Sequence, residues 1–107
     1  MSKYHNKKIM IDNIVFDSKK EANYYTYLKL LQNSGKIQNL QLQKKFILQD
    51  KFKLNNKTRR AITYKADFVY VQDGKTHVID TKGFRTETYK IKKKLFEKKY
   101  GIEIEEI

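Results

Sequence analysis

The first third of the chain alternates apolar and polar residues in a way that predicts a hairpin followed by a helix. Residues 8–16 (KIMIDNIVF) alternate around Asp12-Asn13, which fits a two-residue hairpin turn. Residues 18–34 have helical character, and they stop at Gly35, a residue type that commonly follows the last turn of a helix. We therefore expect a short N-terminal hairpin and then one helix.

The middle of the chain predicts extended structure. Residues 37–43 and 45–54 are both expected to be strands, and the polar, basic stretch 55–60 is expected to be a loop. A second hairpin is predicted over about residues 61 to 82, because two apolar runs flank an Asp-Gly pair.

The end of the chain predicts a helix and one more strand. Residues 86–99 place Ile91, Leu95 and Phe96 on one apolar stripe among lysines, and Gly101 ends this helix. The closing residues IEIEEI alternate as a short strand does. The expected fold class is therefore α/β, with an α-β-β-β-α-β core after the N-terminal hairpin, a mixed central sheet, and a single domain over residues 1–107.

Composition and charge favour a globular protein with a polyanionic partner over a membrane protein. A chain of 107 residues with 39% hydrophobic residues can fold around one core. There is no apolar run of the roughly 18 residues that a membrane span needs, no secretory signal and no cysteine, so a cytoplasmic protein is expected. The net charge of +12 favours a polyanionic partner, and nucleic acid is preferred over a membrane surface because no membrane-seeking apolar helix is evident.

The Asp73-Gly74 turn fixes the register of the second hairpin. Counted outward from the turn, the expected pairs include Gln72 with Lys75, Val69 with Val78 and Phe68 with Ile79. The next pair in that register is Asp67 with Asp80, and Lys82 lies on the same face because side chains alternate with a period of two. The register therefore predicts two carboxylates and an amine at the open end of the hairpin.

Two neighbouring carboxylates repel unless a cation lies between them. A divalent ion with oxygen ligands resolves this repulsion, and Lys82 would then lie beside an attacking water or a phosphate, as metal-assisted phosphodiester hydrolysis requires. The simpler interpretation is that Asp80 and Lys82 form an exposed ion pair on a strand. Because the acid pair coincides with a register that the turn sets independently, we favour the site.

The residues FDSKKEA, ADFVY, VIDTKG and YKIKKKLFEKKYG resemble a family of small phage-encoded endonuclease-like proteins of the PD-(D/E)XK nuclease superfamily, with a weaker similarity to transposase-associated endonucleases. The resemblance covers about residues 14–107. It implies a restriction-endonuclease-like core, with Asp67 and Asp80 as ligands of Mg²⁺ or Mn²⁺ and Lys82 near the nucleophilic water. It also implies a metal contact from the Thr81 carbonyl.

Two further residues take their significance from this resemblance. Gln43 falls near a position where related nucleases carry a polar residue, and Glu21 matches an acid on the first helix that acts in catalysis and can bind the metal. However, the residues from Ser18 to Glu21 also form a capping box, in which Glu21 would turn back to the helix N-terminus. Both interpretations of Glu21 stay open at this point.

Basic residues outside the motif are candidates for contacts to nucleic acid. Arg59, Arg60 and Arg85 are the only arginines among the 24 basic residues, so most contacts would be lysine to phosphate, which carries no sequence information. The predicted DNA-binding residues are Lys57, Arg59, Arg60, Arg85, Lys90, Lys92, Lys93 and Lys94, although a lysine run on a helix is usually just a solvated face.

These observations lead to one functional hypothesis and two alternatives. We expect a Mg²⁺-dependent phage DNA endonuclease that acts on branched or structured DNA in the host cytoplasm, as a homodimer because cutting both strands needs two sites. No small-molecule cofactor and no membrane partner are expected. The alternatives are a non-catalytic nucleic-acid-binding module with a nuclease-like fold, and a nicking subunit that needs a partner protein.

Overall fold

Eight strands and two helices make up the part of the chain that the structure, a computed structural model, describes: residues 8–82 and 85–107. In chain order they are β1 (Ile9–Ile11), β2 (Ile14–Phe16), α1 (Lys19–Asn33), β3 (Gln38–Gln49), β4 (Phe52–Leu54), β5 (Lys57–Arg59), β6 (Ile62–Gln72), β7 (Lys75–Asp80), α2 (Glu87–Tyr100) and β8 (Ile104–Glu106). Neither of these helices has the length and apolar character that crossing a bilayer requires. Gly83, which ends the motif VIDTKG, lies outside the described residues.

A four-stranded sheet forms the centre of the protein, with strand order β3-β6-β7-β8. The pairs β3–β6 and β6–β7 are antiparallel, whereas β8 runs parallel to β7. β1 and β2 form a separate two-stranded ribbon, as do β4 and β5. The predictions of a mixed α/β class and a mixed central sheet are therefore confirmed.

The hairpin of β6 and β7 has the register that its turn predicts. Phe68 pairs with Ile79 and Gln72 pairs with Lys75, and the left-handed φ angles of Asp73 (51°) and Gly74 (76°) are those that a tight hairpin turn requires. The strand pairing ends at Phe68 and Ile79, so the predicted cross-strand pair of Asp67 with Asp80 is not formed, and these acids are the first residues beyond the paired strands. They lie where the two strands begin to separate.

The helices pack on opposite faces of the sheet. Phe68 and Ile79 point into a core beneath α1, and their chain neighbours Val69 and Val78 point into a second core beneath α2, as the period of two requires. The buried members of the first core are Phe16, Ala22, Tyr25, Leu28, Ile37, Phe68, Tyr70 and Ile79. Those of the second core are Tyr64, Ala66, Val69, Val78, Phe96 and Ile104.

The region from residue 37 to residue 60 differs from the sequence prediction in two ways. One continuous twelve-residue strand, β3, replaces most of the two predicted strands. The predicted loop at 55–60 is wrong, because Asn55 and Asn56, with φ of 51° and 62°, are the turn of a hairpin between β4 and β5. The predicted core order therefore lacked one two-stranded element.

The apolar stripe predicted for α2 is also largely wrong. Phe96 is fully buried, but Ile91 is 59% exposed and Leu95 is 42% exposed. The side of α2 that faces the sheet carries aromatic residues instead: Tyr89 packs against the second core, and Tyr100 stacks on Phe96 with ring centroids 4.9 Å apart. The helix is thus rotated about its axis relative to the predicted orientation.

Candidate active site

The buried polar residues of the protein are concentrated in one place. Among the described residues, the buried polar or charged ones are Glu21, Asp67, Asp80 and Thr81, at 7%, 3%, 0% and 4% exposure. Hydrogen bonds tie these residues to one another or to shared partners, as described below. Charged side chains are rarely buried without a partner. Although the net charge of the protein is +12, the charged residues that are buried in its described part are all acids.

Asp67 is held by groups that follow β7. Its Oδ2 accepts hydrogen bonds from the backbone N–H of Thr81 (2.8 Å) and from the Thr81 hydroxyl (2.9 Å). Its Oδ1 accepts a hydrogen bond from the Lys82 amine at 3.2 Å, and the same contact is an ion pair. The structure thus brings Asp67, Thr81 and Lys82 together. The metal contact assigned to the Thr81 carbonyl stays a prediction.

Asp80, the last residue of β7, is fixed from two sides. The Tyr64 hydroxyl donates to its Oδ2 at 2.9 Å, and the backbone N–H of Lys82 donates to its Oδ1 at 2.9 Å. Burial raises the pKa of Tyr64, and the negative charge of Asp80 raises it further, so the hydroxyl stays protonated and able to donate. Sequence reasoning missed Tyr64, because only the path of β6 through the sheet brings it to Asp80.

The Ser18 half of the capping box is formed, but the Glu21 carboxylate bonds to Gln43 and not to the backbone N–H of Ser18. The backbone N–H of Glu21 donates to the Ser18 hydroxyl (3.1 Å), which caps α1. The Glu21 carboxylate accepts a hydrogen bond from the Gln43 amide at 2.8 Å, and the same amide group reaches Oδ1 of Asp67 at 3.3 Å. The side chain of Glu21 therefore faces Asp67. We call Glu21, Asp67 and Asp80 the acidic cluster.

The conformation of Gln43 is unusual for a strand residue. Its φ of 53° lies in the left-handed region, which non-glycine residues seldom adopt and which tends to occur at functional sites. On β3, Leu42 packs on the core beneath α1 and Phe46 on the core beneath α2, so the direction of the strand's side chains changes around Gln43. This change directs the Gln43 amide to the carboxylates of Glu21 and Asp67.

The charges of the cluster influence one another. Burial raises the pKa of Glu21, and the negative charge of Asp67 raises it further. Burial lowers the pKa of Lys82, but the charges of Asp67, Asp80 and Glu21 together with the hydrogen bond to Asp67 outweigh this effect, and the pKa is raised. Lys82 is therefore an ammonium ion at neutral pH, and its side chain, 55% exposed, lies at the edge of the cluster.

Residues of the cluster line two clefts. One, of about 340 Å³, is lined by Asp80 and Lys82 together with Tyr64, Lys65, Thr86, Thr88, Tyr89 and Lys92. The other, of about 250 Å³, includes Glu21 and Gln43 in its lining. The first cleft carries three lysines and one acid, which suits an anionic ligand.

The oxygen atoms of Asp67 and Asp80 are of the kind that Mg²⁺ and Mn²⁺ prefer. As the side chains stand, residues 8–82 and 85–107 contain no group of three or more His, Cys, Asp or Glu positioned to hold a metal ion. Magnesium usually takes only one or two protein carboxylates and completes its shell with water and phosphate. Two carboxylates are therefore enough in number for magnesium, and a magnesium site at Asp67 and Asp80 stays a prediction.

The predicted DNA-binding residues fall into two regions. Lys57, Arg59 and Arg60 lie on or beside β5 and are exposed. Arg85 lies beside α2, where its Nε forms an ion pair with Glu106 (3.1 Å) and its guanidinium lies over the Tyr89 ring. Arg85 is therefore engaged within the protein, and a phosphate would have to compete with Glu106.

The four predicted lysines of α2 differ in their surroundings. Lys90 pairs with Glu87 at 3.1 Å, and Lys93 pairs with Glu106 at 3.3 Å. Lys92 lines the same cleft as Asp80 and Lys82, whereas Lys94 lines a different cleft. Of these four lysines, Lys92 is therefore the one that shares a cleft with the candidate catalytic residues.

A family model described as "Protein of unknown function (DUF1064)" matches residues 1–105. The chain belongs to this family. No curated protein and no solved structure matches the chain significantly. The family description names no activity, so a function for this DUF1064 protein has to be argued from the geometry of its site.

Proposed function

We propose that this protein is a metal-dependent DNA endonuclease of the PD-(D/E)XK type, with a restriction-endonuclease-like core. The observation that carries the proposal is the buried acidic cluster at the open end of the β6–β7 hairpin, with the Lys82 amine 3.2 Å from Asp67. Buried carboxylates beside an amine in a cleft are a common arrangement for catalysis. The two helices on opposite faces of a mixed sheet are compatible with the proposed core.

The protein's own residues would prepare the site for a phosphodiester. Thr81 and Gln43 orient the Asp67 carboxylate, and Tyr64 orients that of Asp80. A divalent ion held by these two acids would polarise a phosphate oxygen and activate a water molecule. Lys82, as an exposed ammonium ion beside Asp67, would stabilise negative charge that develops on the phosphate.

The proposed substrate is branched or otherwise structured DNA. The net charge of +12 favours a polyanion, and the cleft beside Asp80 adds Lys65, Lys82 and Lys92 as positive groups. Lysines bind phosphates as point charges and do not read base edges as arginines do, so recognition of DNA shape is favoured over recognition of a long sequence. A phage protein that acts during recombination or packaging, working as a homodimer, is consistent with such a substrate.

Incubation of the purified protein with a labelled four-way junction and a matched linear duplex tests the proposal. We expect strand cleavage in Mg²⁺ or Mn²⁺, none in EDTA, and a preference for the junction. DNA binding without cleavage in either metal would contradict the endonuclease and favour a non-catalytic binding module. Cleavage that appears only after addition of a host or phage extract would favour a nicking subunit that needs a partner.

Replacing Glu21 by Gln tests whether the carboxylate acts in the site. We expect the variant to fold, because the backbone N–H that binds Ser18 is retained and the new amide can still contact Gln43. Cleavage should fall about a hundredfold or more, because a negative charge beside the reacting phosphate and its metal is lost. The measurement is the cleavage rate at saturating Mg²⁺, with the melting temperature recorded for each variant.

The matched control for Glu21 is Glu87→Gln. Glu87 is the acid in the first turn of α2, as Glu21 is in the first turn of α1, so both variants lose the same interaction with a helix N-terminus. Glu87 lies outside the acidic cluster, and its replacement should leave the cleavage rate within about twofold of the wild type. Equal losses in the two variants would show that Glu21 acts on helix stability alone.

A further inference from the structure

The hairpin of β4 and β5 projects from the protein as an arm, which we define as residues 50–61. Its strands pair with each other and with no strand of the central sheet. Every residue of the arm is exposed. Gln49, directly before the arm, pairs with Ile62, directly after it, so the pairing of β3 with β6 does not depend on the arm. The arm therefore contributes little to the fold, and its residues are free to serve another purpose.

One face of the arm combines apolar and cationic side chains. Phe52 pairs with Arg59 and Leu54 pairs with Lys57, so these four side chains share a face. Phe52 is 45% exposed and Leu54 is 52% exposed. Two exposed apolar side chains side by side on a projecting ribbon are more typical of a binding surface than of a solvated one.

The charge of the arm decides what kind of partner suits this face. The arm has the five bases Lys51, Lys53, Lys57, Arg59 and Arg60, against the single acid Asp50. A second copy of the arm would present the same positive charge, which opposes self-association of this surface. A DNA duplex presents regularly spaced phosphates, and its grooves accept a two-stranded ribbon.

We propose that the arm inserts into a groove of the duplex that flanks the cleaved bond. Lys57 and Arg59 contact phosphates on the groove walls, and Phe52 and Leu54 press against the base pairs, as apolar side chains of DNA-bending proteins do. The choice of DNA as partner rests on the proposed function. The arm thereby provides a second contact to duplex DNA, away from the acidic cluster. It favours DNA that can bend or unstack.

Three arm variants test this proposal. Phe52→Ser with Leu54→Ser removes the apolar pair, Lys57→Ala with Arg59→Ala removes the charges, and replacement of residues 50–61 by Asn-Gly removes the arm while keeping the Gln49–Ile62 pair at a two-residue turn. Binding to a short labelled duplex is measured by fluorescence anisotropy in EDTA at several salt concentrations. A duplex that contains 2-aminopurine reports base unstacking.

The controls make the same changes elsewhere. Met10→Ser with Val15→Ser removes another exposed cross-strand apolar pair, on the β1–β2 ribbon. Lys36→Ala with Lys75→Ala removes two exposed charges outside the arm. Both control variants should bind duplex as the wild type does, since neither pair lies on the arm.

We expect the serine variant to bind duplex about tenfold more weakly and to lose the 2-aminopurine signal. The charge variant should lower the slope of log affinity against log salt by about two. Duplex affinity equal to that of the wild type in the arm variants, or no duplex binding by the wild type, would overturn the inference. A change in sedimentation mass with DNA binding unaltered would overturn it too, in favour of a second copy as the partner.

Cleavage, measured separately, distinguishes this inference from the proposed function. If the wild type binds duplex through the arm but never cuts DNA with Mg²⁺ or Mn²⁺, the endonuclease proposal fails and the arm inference stands. If the wild type cuts DNA and the arm variants bind and cut equally well, the arm inference fails and the endonuclease proposal stands.

Discussion

Replacing Asp80 by Asn is expected to lower metal-dependent DNA cleavage about a thousandfold. Asp80 has no solvent-exposed surface, and its two carboxylate oxygens are fixed by the Tyr64 hydroxyl and the Lys82 backbone N–H. Asparagine has nearly the same shape, but it lacks the negative charge that would hold a divalent cation. The loss should therefore be largest at low Mg²⁺ concentration, because a weakened metal site fills only when more metal is present.

The control for this variant is Asp73→Asn, which makes the same chemical change in the same hairpin. Asp73 is exposed at the turn and has a φ of 51°, a conformation that asparagine adopts readily. We expect this variant to cleave DNA at the wild-type rate. Wild-type cleavage by Asp80→Asn would remove Asp80 from the catalytic residues.

A second measurement on the same proteins does not depend on activity. If Asp67 and Asp80 bind a divalent cation, Mn²⁺ should raise the melting temperature of the wild type, because a ligand that binds only the folded state stabilises it. Asp80→Asn should reduce this shift, and Asp73→Asn should keep it. An equal shift in all three proteins would show that Mn²⁺ binds elsewhere.

The sequence predicted the part of the site that depends on local structure. Asp73 and Gly74 adopt the left-handed angles of a tight turn, and the turn alone fixes the register that leads to Asp67 and Asp80. The same local logic correctly located the N-cap of α1 at Ser18. Turn and cap chemistry depend on a few adjacent residues, so a single sequence is sufficient to read them.

The partners that hold the acids could not be read in this way. Tyr64 reaches Asp80 because β6 lies beside β7, and Gln43 reaches Glu21 because β3 packs against α1. Gln43 has a left-handed angle within a strand whose residue types give no sign of it. Contacts between residues far apart in the chain depend on strand order, which local patterns do not contain.

The arm was missed because its second strand has no apolar residue. Lys57, Thr58 and Arg59 show no alternation of apolar and polar side chains, so the stretch resembles a loop. The signal that could have identified it was Asn55-Asn56, since two adjacent asparagines favour the same kind of turn as Asp12-Asn13. The sequence pattern indicates a two-residue turn at Asp12-Asn13 and at Asp73-Gly74 because each lies between two apolar runs, whereas Asn55-Asn56 has an apolar run on one side only.

Replacing Phe96 by Ala is expected to cost about 3–5 kcal/mol of the free energy of unfolding. Phe96 is fully buried, and it contacts three aromatic rings, with centroid distances of 4.9 Å to Phe46, 5.6 Å to Tyr64 and 4.9 Å to Tyr100. The change would leave a cavity at the point where α2 packs on the sheet. Since small domains unfold with only about 5–15 kcal/mol, much of the stability would be lost. Urea denaturation gives the measurement.

Ile91→Ala is the matched control, because Ile91 lies on the same helix and the sequence placed it on the same apolar stripe as Phe96. Ile91 is 59% exposed, so its replacement should change the free energy of unfolding by no more than about 0.5 kcal/mol. Similar losses for the two variants would mean that α2 packs with the orientation that the sequence pattern predicted. A large loss for Phe96→Ala alone would support the observed orientation, in which Lys92 faces the cleft beside Asp80.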